Sequence, residues 1–363
     1  MGGSVRRLWA TCGALLWICL TFFPSALSAQ DNLSLDLKVG LEGDNNAGRS
    51  EGPQADPDLL TRYFLKLEAA HAVSRGQRLS LKFRSGGKFY REEVDENTLI
   101  NQVDINHVIS PLEAFDQRWL FLFVRGSFKD RLERGGSRDY QRGGGAAGLG
   151  LGFGDLTLRA AVGASIFLFK PDPALSSRGP SSELGASLAL GQDWVARAGF
   201  SVREKSYQTM RLVSRDETGQ VVRDENVLRE DLAQIVSAGL TWRGPVVSSL
   251  DLSWVSIASN SHGQSIERLG AAVTLTAPLP WSVFLSGRLS LQRTNYADEL
   301  FVSTDKTLAI DEDNRNTFVL ELERPLSELL SVVARYSVFA QEFGVEEADY
   351  NRQLIFLGMG VQY

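Results

Sequence analysis

The feature that most constrains the fold is an alternation of apolar and polar residues that recurs along most of the chain. It is clearest from Leu33 to Glu42, where every second residue is leucine or valine and the residues between are polar, charged or glycine. A period of two places the two sets on opposite faces of a β-strand. Sixteen such segments are found, beginning near Leu33, Arg62, Arg78, Asn101, Trp119, Gln141, Leu156, Glu183, Trp194, Asp231, Val246, Arg268, Trp281, Asn316, Leu330 and Asn351.

The polar face of these segments repeatedly carries arginine. Arg159, Arg197 and Arg335, for example, each alternate with apolar neighbours. A soluble core could not bury such cations unpaired, because an isolated charge is very costly to remove from water. An apolar outside and a polar inside suit a closed barrel in lipid, since closure leaves no unpaired strand edge. The pattern therefore predicts an all-β fold: a single transmembrane antiparallel up-and-down β-barrel of about sixteen strands.

The lengths of the connections support the same fold. Seven connections are tight, such as residues 154–155 and 192–193, and the eight between them are mostly longer and polar, such as 43–60 and 206–228. Outer-membrane barrels alternate short periplasmic turns with long extracellular loops, and they have an even number of strands. Fourteen strands remain an alternative if the weak segments near Asn101 and Gln141 do not pair.

Tryptophan residues are sorted by connection type. Trp119, Trp194 and Trp281 follow tight turns directly, and Trp242 precedes one. Amphipathic aromatic rings are enriched at both interfaces between a membrane and water. These four residues are therefore predicted to form an aromatic girdle at the periplasmic interface.

The N-terminal 29 residues differ from the rest of the chain. Two arginines precede an apolar run at residues 8–23, and small residues then lead to Ala29. This layout predicts a signal peptide at 1–29 and export, with the barrel at 30–363; a membrane-anchoring helix is the alternative. Both cysteines, Cys12 and Cys19, lie in the leader, so we expect neither a disulfide nor a Cys-ligated metal in the mature protein. The formal net charge of −6 argues against a nucleic-acid partner.

The C-terminus also alternates and ends on an aromatic residue. Met359, Val361 and Tyr363 continue an apolar face that begins at Ile355. This ending resembles that of Gram-negative outer-membrane β-barrel proteins, with a porin-like overall layout. The resemblance implies that these residues form the signal recognised by the barrel-assembly machinery. It also implies that the protein is located in the outer membrane, with lipid and lipopolysaccharide as its surroundings.

The inner face of the barrel is the candidate functional site. A sixteen-stranded barrel is too wide for side chains to fill, so a water-filled lumen is expected. Parity along the strands assigns to this face Asp36, Lys38, Lys66, Glu68, Lys82, Arg84, Asp104, Arg159, Arg197, Asp251, Arg288, Glu321, Glu323, Arg335 and Arg352. Arg288, Glu321 and Arg335 lie on consecutive strands at similar depth, which predicts an ion network. Such a network could select solutes or brace the wall.

The function predicted from these features is a porin-like passive channel for small hydrophilic solutes, without cofactor or metal. The alternative is a non-conducting structural or surface-binding barrel whose extracellular loops bind polysaccharide or lipopolysaccharide. An outer-membrane enzyme is a third hypothesis, and it would depend on His262, because His71 and His107 fall on the lipid-facing parity. The acidic loop after Thr294 suits either divalent cations or plain solvation.

Overall fold

A computed structural model of the chain describes residues 32–48, 56–74, 76–110, 119–215, 221–297, 316–341 and 350–363. The predicted signal peptide with its two cysteines and the acidic residues from 298 to 313 lie outside these ranges. Within them, no helix is long and apolar enough to cross a membrane. The helical content consists of three short 3-10 turns, at Val94–Glu96, Pro173–Leu175 and Pro280–Ser282.

The rest of the regular structure is β. The sixteen strands are β1 (Asn32–Asp44), β2 (Asp58–Ser74), β3 (Gln77–Tyr90), β4 (Thr98–Ile109), β5 (Leu120–Glu133), β6 (Tyr140–Phe153), β7 (Leu156–Phe169), β8 (Ser177–Leu190), β9 (Trp194–Arg215), β10 (Val221–Arg243), β11 (Val247–Ser259), β12 (Ile266–Leu279), β13 (Val283–Tyr296), β14 (Asn316–Pro325), β15 (Leu330–Gln341) and β16 (Tyr350–Gln362).

These strands form one closed antiparallel barrel. Each strand pairs with its neighbours in the sequence, and β1 pairs with β16 to complete the ring. The weak segments near Asn101 and Gln141 are strands β4 and β6, so the alternative of fourteen strands is excluded. Closure gives every strand two partners, which satisfies the backbone polar groups that a lipid environment cannot. The predicted fold class is confirmed.

The outer face is apolar, as the alternation predicts. Leu41, Val162 and Leu357 are 55%, 69% and 61% exposed, and they belong to a band of exposed apolar side chains that covers the outside of the barrel. Such a surface could not face water over this area, because apolar patches of that extent are rare on soluble monomers. The residues that alternate with this band face the lumen.

Some strands begin earlier than the alternation indicates. β8 begins at Ser177 rather than near Glu183, and β10 begins at Val221 rather than near Asp231. In β8 the first residues are Ser177, Arg178, Gly179 and Pro180, none of which contributes to an apolar period. In β10 two valines are followed by the charged residues Arg223, Asp224 and Glu225, and this segment continues the hairpin with β9 beyond the length of about 9–11 residues that a tilted strand needs to cross a bilayer.

The extension of β9 and β10 is held by polar contacts. The backbone N–H of Leu212 donates to Ser261 Oγ at 2.9 Å, which ties the extension to the β11–β12 connection. Arg211 Nη2 donates to Asp224 Oδ2 at 2.8 Å across the hairpin. The N–H of Asn226 and the Arg211 guanidinium hold the pKa of the Asp224 carboxyl below its usual range. The extension therefore has its own electrostatic support outside the membrane.

The four tryptophans lie at the ends of the barrel that carry tight turns. Trp194 opens β9 and stacks on Trp242 of β10, with 6.0 Å between the ring centroids. Trp119 immediately precedes β5. Trp281 differs from the prediction because it lies in a 3-10 turn, with a φ of 62°, and β13 begins two residues later. The placement of this girdle at the periplasmic interface remains a prediction.

Candidate functional site

Strand register places all of the predicted lumen residues on the face opposite the apolar band. Asp36 pairs with Lys66, which in turn pairs with Arg84. Further along the ring, Arg197 pairs with Gly239, which pairs with Asp251. Side chains on one row of partners point to the same side of a sheet. The predicted charged residues therefore all lie on the inner face. Their contacts differ between two halves of this face.

The first half surrounds the seam where the first and last strands meet. Lys38 Nζ on β1 donates to Glu321 Oε1 and to Glu323 Oε2, each at 2.8 Å. Both acids belong to β14, and β15 and β16 lie between the two strands. A contact that spans two intervening strands requires the concave side of the wall. Arg335 Nε of β15 completes this seam cluster, because it donates to Glu321 Oε2 at 2.7 Å.

Small residues on β16 allow Lys38 to reach the acids. Gly360 is its partner in register, and a Cβ on this glycine would clash with Ser331 Oγ. Ser331 Oγ itself donates to Glu323 Oε1 at 2.8 Å. Gln362 Nε2 donates to the same oxygen at 2.9 Å. Both Glu323 oxygens are thus satisfied, and a side chain at Gly360 would obstruct the cluster.

The ion network differs from the predicted one. Glu321 and Arg335 do pair, but Lys38 takes the place that was assigned to Arg288. Register explains the difference, because Ser286 is the β13 partner of Glu321, whereas Arg288 pairs with Val319. Arg288 is exposed to the lumen and forms no ion pair with any residue that the structure describes. The prediction was therefore wrong for Arg288.

Aromatic rings fill the wall between the seam cluster and the long loops. The guanidinium of Arg335 lies 4.5 Å from the ring centroid of Phe64 and 5.6 Å from that of Phe356. Arg62 covers the same Phe64 ring at 4.3 Å and forms an ion pair with Glu42. Phe356 is completely buried. Cation–π stacking and ion pairing together make this part of the inner face dense.

A buried group closes the seam at the end of the barrel that carries the long loops. Arg352 of β16 donates through Nε to both Asp44 oxygens at 2.9 Å, and Tyr90 Oη donates to Asp44 Oδ2 at 3.0 Å. Ala47, in the connection after β1, is fully buried against Leu60 and Tyr90 of the inner face. The described start of this connection therefore folds over the inner wall.

A more exposed charge ladder continues from the seam along β2 to β4. The Glu68 carboxylate forms ion pairs with Lys66 Nζ and Lys82 Nζ, each with an N–O distance of 2.8 Å. Arg84 Nη2 pairs with Asp104 Oδ2 at 2.7 Å. These side chains are roughly one-third to one-half exposed. Every cation of this ladder has an acidic partner, so this half of the wall is largely neutral locally.

The second half of the inner face, on β6 to β12, has mainly small side chains. Register assigns to it Gly144, Ala146, Gly148, Gly163, Ser181, Gly185, Gly199, Ser237, Gly239, Ser253, Gly270 and Ala272. Small residues leave the space in front of the wall empty. The lumen is consequently asymmetric. One half of its wall is crowded by paired charges and aromatic rings, and we call the other the low half, because its short side chains project little from the wall.

Arginines project into the lumen from part of this low half and from the neighbouring strand β5. We call Arg125 (β5), Arg142 (β6), Arg159 (β7), Arg197 and Arg203 (β9) the arginine wall. Arg125 pairs with Glu183 of β8, and Arg159 lies 5.5 Å from the Phe121 ring centroid. Arg197 donates to the hydroxyl of Thr241 rather than to an acid.

The neighbouring acid Asp251 stays outside the arginine wall. Gly239 lies between Asp251 and Arg197 in register, and a Cβ on this glycine would lie 2.8 Å from Asp251 Oδ1. Asp251 Oδ2 accepts a hydrogen bond from Ser249 Oγ at 3.4 Å. Asp251 and Arg197 are both exposed to the lumen. The two predicted lumen residues therefore lie near one another without forming an ion pair.

Three members of the arginine wall escaped the sequence analysis. Arg125 shares its inward parity with Phe121 and Phe123, so the period of polar residues is broken there. Arg142 lies beside a run of glycines, and Arg203 lies in a charged run with Glu204. The signal that could have found them is parity counted from the apolar outer residues rather than from the polar inner ones.

The C-terminal residues face outward and complete the closure. Met359 is 53% exposed and pairs with Val39, and Val361 pairs with Leu37. Tyr363 follows the last strand, and its N–H donates to the carbonyl oxygen of Leu35 at 2.9 Å. The ring of Tyr363 remains exposed, so this terminus presents an apolar face to the membrane side.

The three histidines do not form a common site. His71 and His107 lie on the outward face of β2 and β4, in register on either side of Leu79. His262 lies in the β11–β12 connection, and its N–H donates to the carbonyl oxygen of Leu212 at 2.8 Å. Within the described parts of the chain, no group of three or more His, Cys, Asp or Glu residues could hold a metal ion.

Comparison with solved structures identifies barrels of the same kind. OprB of Pseudomonas putida is 12% identical, with a TM-score of 0.52 over 92% of this chain and 94% of that chain. A mutant porin of Rh. blastica is 9% identical, with a TM-score of 0.40 over 92% and 100%. No protein-family model and no curated protein matches the chain. The likeness to OprB concerns the fold alone: the chain is a closed sixteen-stranded outer-membrane β-barrel with a porin-like fold.

Proposed function

We propose that the protein is a passive channel for small hydrophilic solutes. The observation that supports this most strongly is the low, polar half of the inner face, where glycine, alanine and serine predominate on β6 to β12. A barrel of sixteen strands is too wide for such small side chains to fill. Small side chains on this half are what a continuous aqueous path would require, and we assign the path to this half.

The crowded half supports a structural role for its charges. The charges of the seam cluster are paired within the cluster, and Arg352 is paired with Asp44, so each of these buried cations has an acidic partner. Charges that are satisfied within the wall have little capacity left for a passing solute. We therefore assign bracing of the wall to this half and solute passage to the other.

A non-conducting barrel is the second candidate, and one observation favours it. Ala47 and its neighbours fold over the inner wall near Leu60 and Tyr90, so one long-loop connection begins by turning inward. If loops close the lumen, the long-loop surface would be the functional part, binding polysaccharide or lipopolysaccharide. In both cases we propose that the protein performs no covalent chemistry.

Swelling of proteoliposomes tests the channel. Vesicles that contain the refolded mature protein are diluted into iso-osmolar sugars of increasing size, and we expect swelling that slows as the sugar grows. Gly185→Trp should slow swelling further, because a Cβ at Gly185 faces the lumen and meets only Ala198 O, at 3.8 Å. Ala186→Trp adds the same bulk to the lipid side and should not.

The same swelling assay gives two results that would contradict the proposal. If folded protein admits no sugar of any size, the channel proposal fails and the non-conducting barrel is favoured. If Gly185→Trp and Ala186→Trp behave identically while the wild-type protein conducts, solutes do not pass along the low half of the wall.

A further inference from the structure

The arginine wall stands over a row of small residues. Arg125, Ala146, Gly163, Ser181 and Arg203 are successive partners in register from β5 to β9. The three residues between the arginines have side chains of at most two heavy atoms. Two long guanidinium side chains therefore flank a low floor on the same row, with open lumen in front of them.

The charge of this region is not balanced. Glu183 is the single acidic side chain on the inner face of β6 to β9 within the described residues, and Arg125 already pairs with it. Arg142 and Arg159 form no ion pair with a described residue, and both are exposed. Arg203 lies within electrostatic range of Arg142, Arg125 and Glu183. The arginine wall consequently carries a net positive charge that nothing in the described wall neutralises.

The space beside these groups suits a small ligand. A depression of about 320 Å³ lies on the inner wall, and Arg125, Arg159, Glu183, Phe121 and Phe123 contribute to its lining. Guanidinium groups present two parallel N–H donors to a carboxylate or phosphate, which makes arginine the preferred partner for oxyanions. Rings of arginine or lysine are also the usual basis of anion selection in pores.

The rest of the lumen does not offset this charge. Along the seam and the ladder of β2 to β4, cations and acids pair one with another. Arg288 and Asp251 are each exposed on the inner face without an ion pair to a described residue, and their opposite charges balance. We infer that the channel prefers anions and that small oxyanions bind transiently at the arginine wall. This inference rests on the proposed channel function and assigns it a class of solute.

The first test is the reversal potential in a planar bilayer under a gradient of KCl. We expect the wild-type channel to pass chloride in preference to potassium. Arg142→Gln/Arg203→Gln should lower the chloride-to-potassium permeability ratio by about two- to fivefold, since a charged wall concentrates counter-ions in a narrow lumen. The control Arg84→Gln/Asp104→Asn removes a paired cation together with its acid, and it should leave the ratio nearly unchanged.

The second test concerns binding. Inorganic phosphate and acetate are titrated separately into the chloride bath, and we expect at least one of them to reduce the chloride current in a saturable manner. Reduction by phosphate alone identifies a phosphate-type ligand, and reduction by acetate alone identifies a carboxylate. The effect should be lost in Arg159→Gln, because Arg159 lines the depression and forms no ion pair with a described residue, and it should be kept in the paired control.

The outcomes separate this inference from the proposed function. A conducting channel that prefers potassium, or that ignores both phosphate and acetate, overturns the inference while the channel function stands. Folded protein that never conducts overturns the channel function and, with it, the selectivity that depends on it. Equal changes in the double variant and in the paired control would show that the arginine wall has no special role.

Discussion

At the scale of single residues, the barrel relies on cations that reach partners far away in the sequence. Lys38 lies 283 residues from Glu321 and 285 from Glu323, yet its one ammonium group binds both carboxylates, and Arg335 supplies the second positive charge that balances them. Their side chains are only 11–16% exposed. Without Lys38, Arg335 alone would face two buried acids, and Glu323 would have no cation, so the seam cluster depends on Lys38.

Lys38→Met tests this dependence. It retains much of the side-chain volume but removes the charge, and we expect the free energy of unfolding to fall by about 3 kcal/mol, because a buried pair broken on one side leaves an uncompensated charge. Lys82→Met is the control: its pair with Glu68 is more than one-third exposed, so the loss should stay below about 1 kcal/mol. Urea unfolding followed by tryptophan fluorescence measures both, and equal losses would contradict the account.

Parity along a strand could predict the face of each of these residues but not its partners. The alternation around Lys38 assigns it to the lumen, and the structure places it there. Its acids lie beyond two intervening strands, and that distance depends on the shear of the closed barrel, which no local pattern contains. The same limit explains Arg288. It lies two residues along β13 from Ser286, the register partner of Glu321, and so it does not reach the predicted network.

At the scale of elements, the last strand both closes the barrel and exposes an aromatic terminus. The N–H and C=O of Tyr363 each bond to Leu35, at 2.9 and 2.8 Å, so the backbone of the last residue continues the sheet. Its side chain is 75% exposed and makes no comparable contribution to closure. Backbone and ring therefore have separable roles, the second of which we propose to be recognition by the assembly machinery.

Tyr363→Ser separates them. The variant keeps the backbone bonds, so refolding in detergent and resistance to urea should match those of the wild type, whereas the amount of folded barrel in the outer membrane of cells should fall several-fold. Deletion of Tyr363 removes the backbone bonds as well and should impair both. Normal assembly of Tyr363→Ser in cells would show that the ring is not part of the signal.

The sequence predicts the presence of each strand because every strand must present apolar side chains on its outer face. Each crossing strand needs apolar side chains at alternate positions, and the segments of β1 and β7 show this plainly. The same requirement is weak where a strand passes beyond the bilayer, so the starts of β8 and β10 were misplaced. Inner aromatics such as Phe121 also break the alternation, which hid Arg125.

At the scale of the whole molecule, the lumen is divided into a crowded half and a low half. The two halves can be compared at two positions that carry the same residue type. Ser337 on β15 is 4% exposed within the crowded half, whereas Ser237 on β10 is exposed on the low half. Both lie on the inner face by register. The asymmetry predicts that a solute in the lumen meets Ser237 and not Ser337.

Cysteine substitution measures this directly, because both native cysteines lie at positions 12 and 19 of the predicted leader. We expect Ser237→Cys to react with a charged, water-soluble thiol reagent and to lose conductance as it does. Ser337→Cys should react far more slowly, with its conductance unchanged. Similar rates at the two positions would show that the lumen is not divided as described.

The account as a whole depends on an open lumen, and single-channel recording of the refolded mature protein in a planar bilayer tests it most directly. Stable conductance steps of reproducible size, with a reversal potential that favours chloride, are the predicted result. Silence from protein whose fold is verified by its resistance to urea would contradict the channel and direct attention to the long loops.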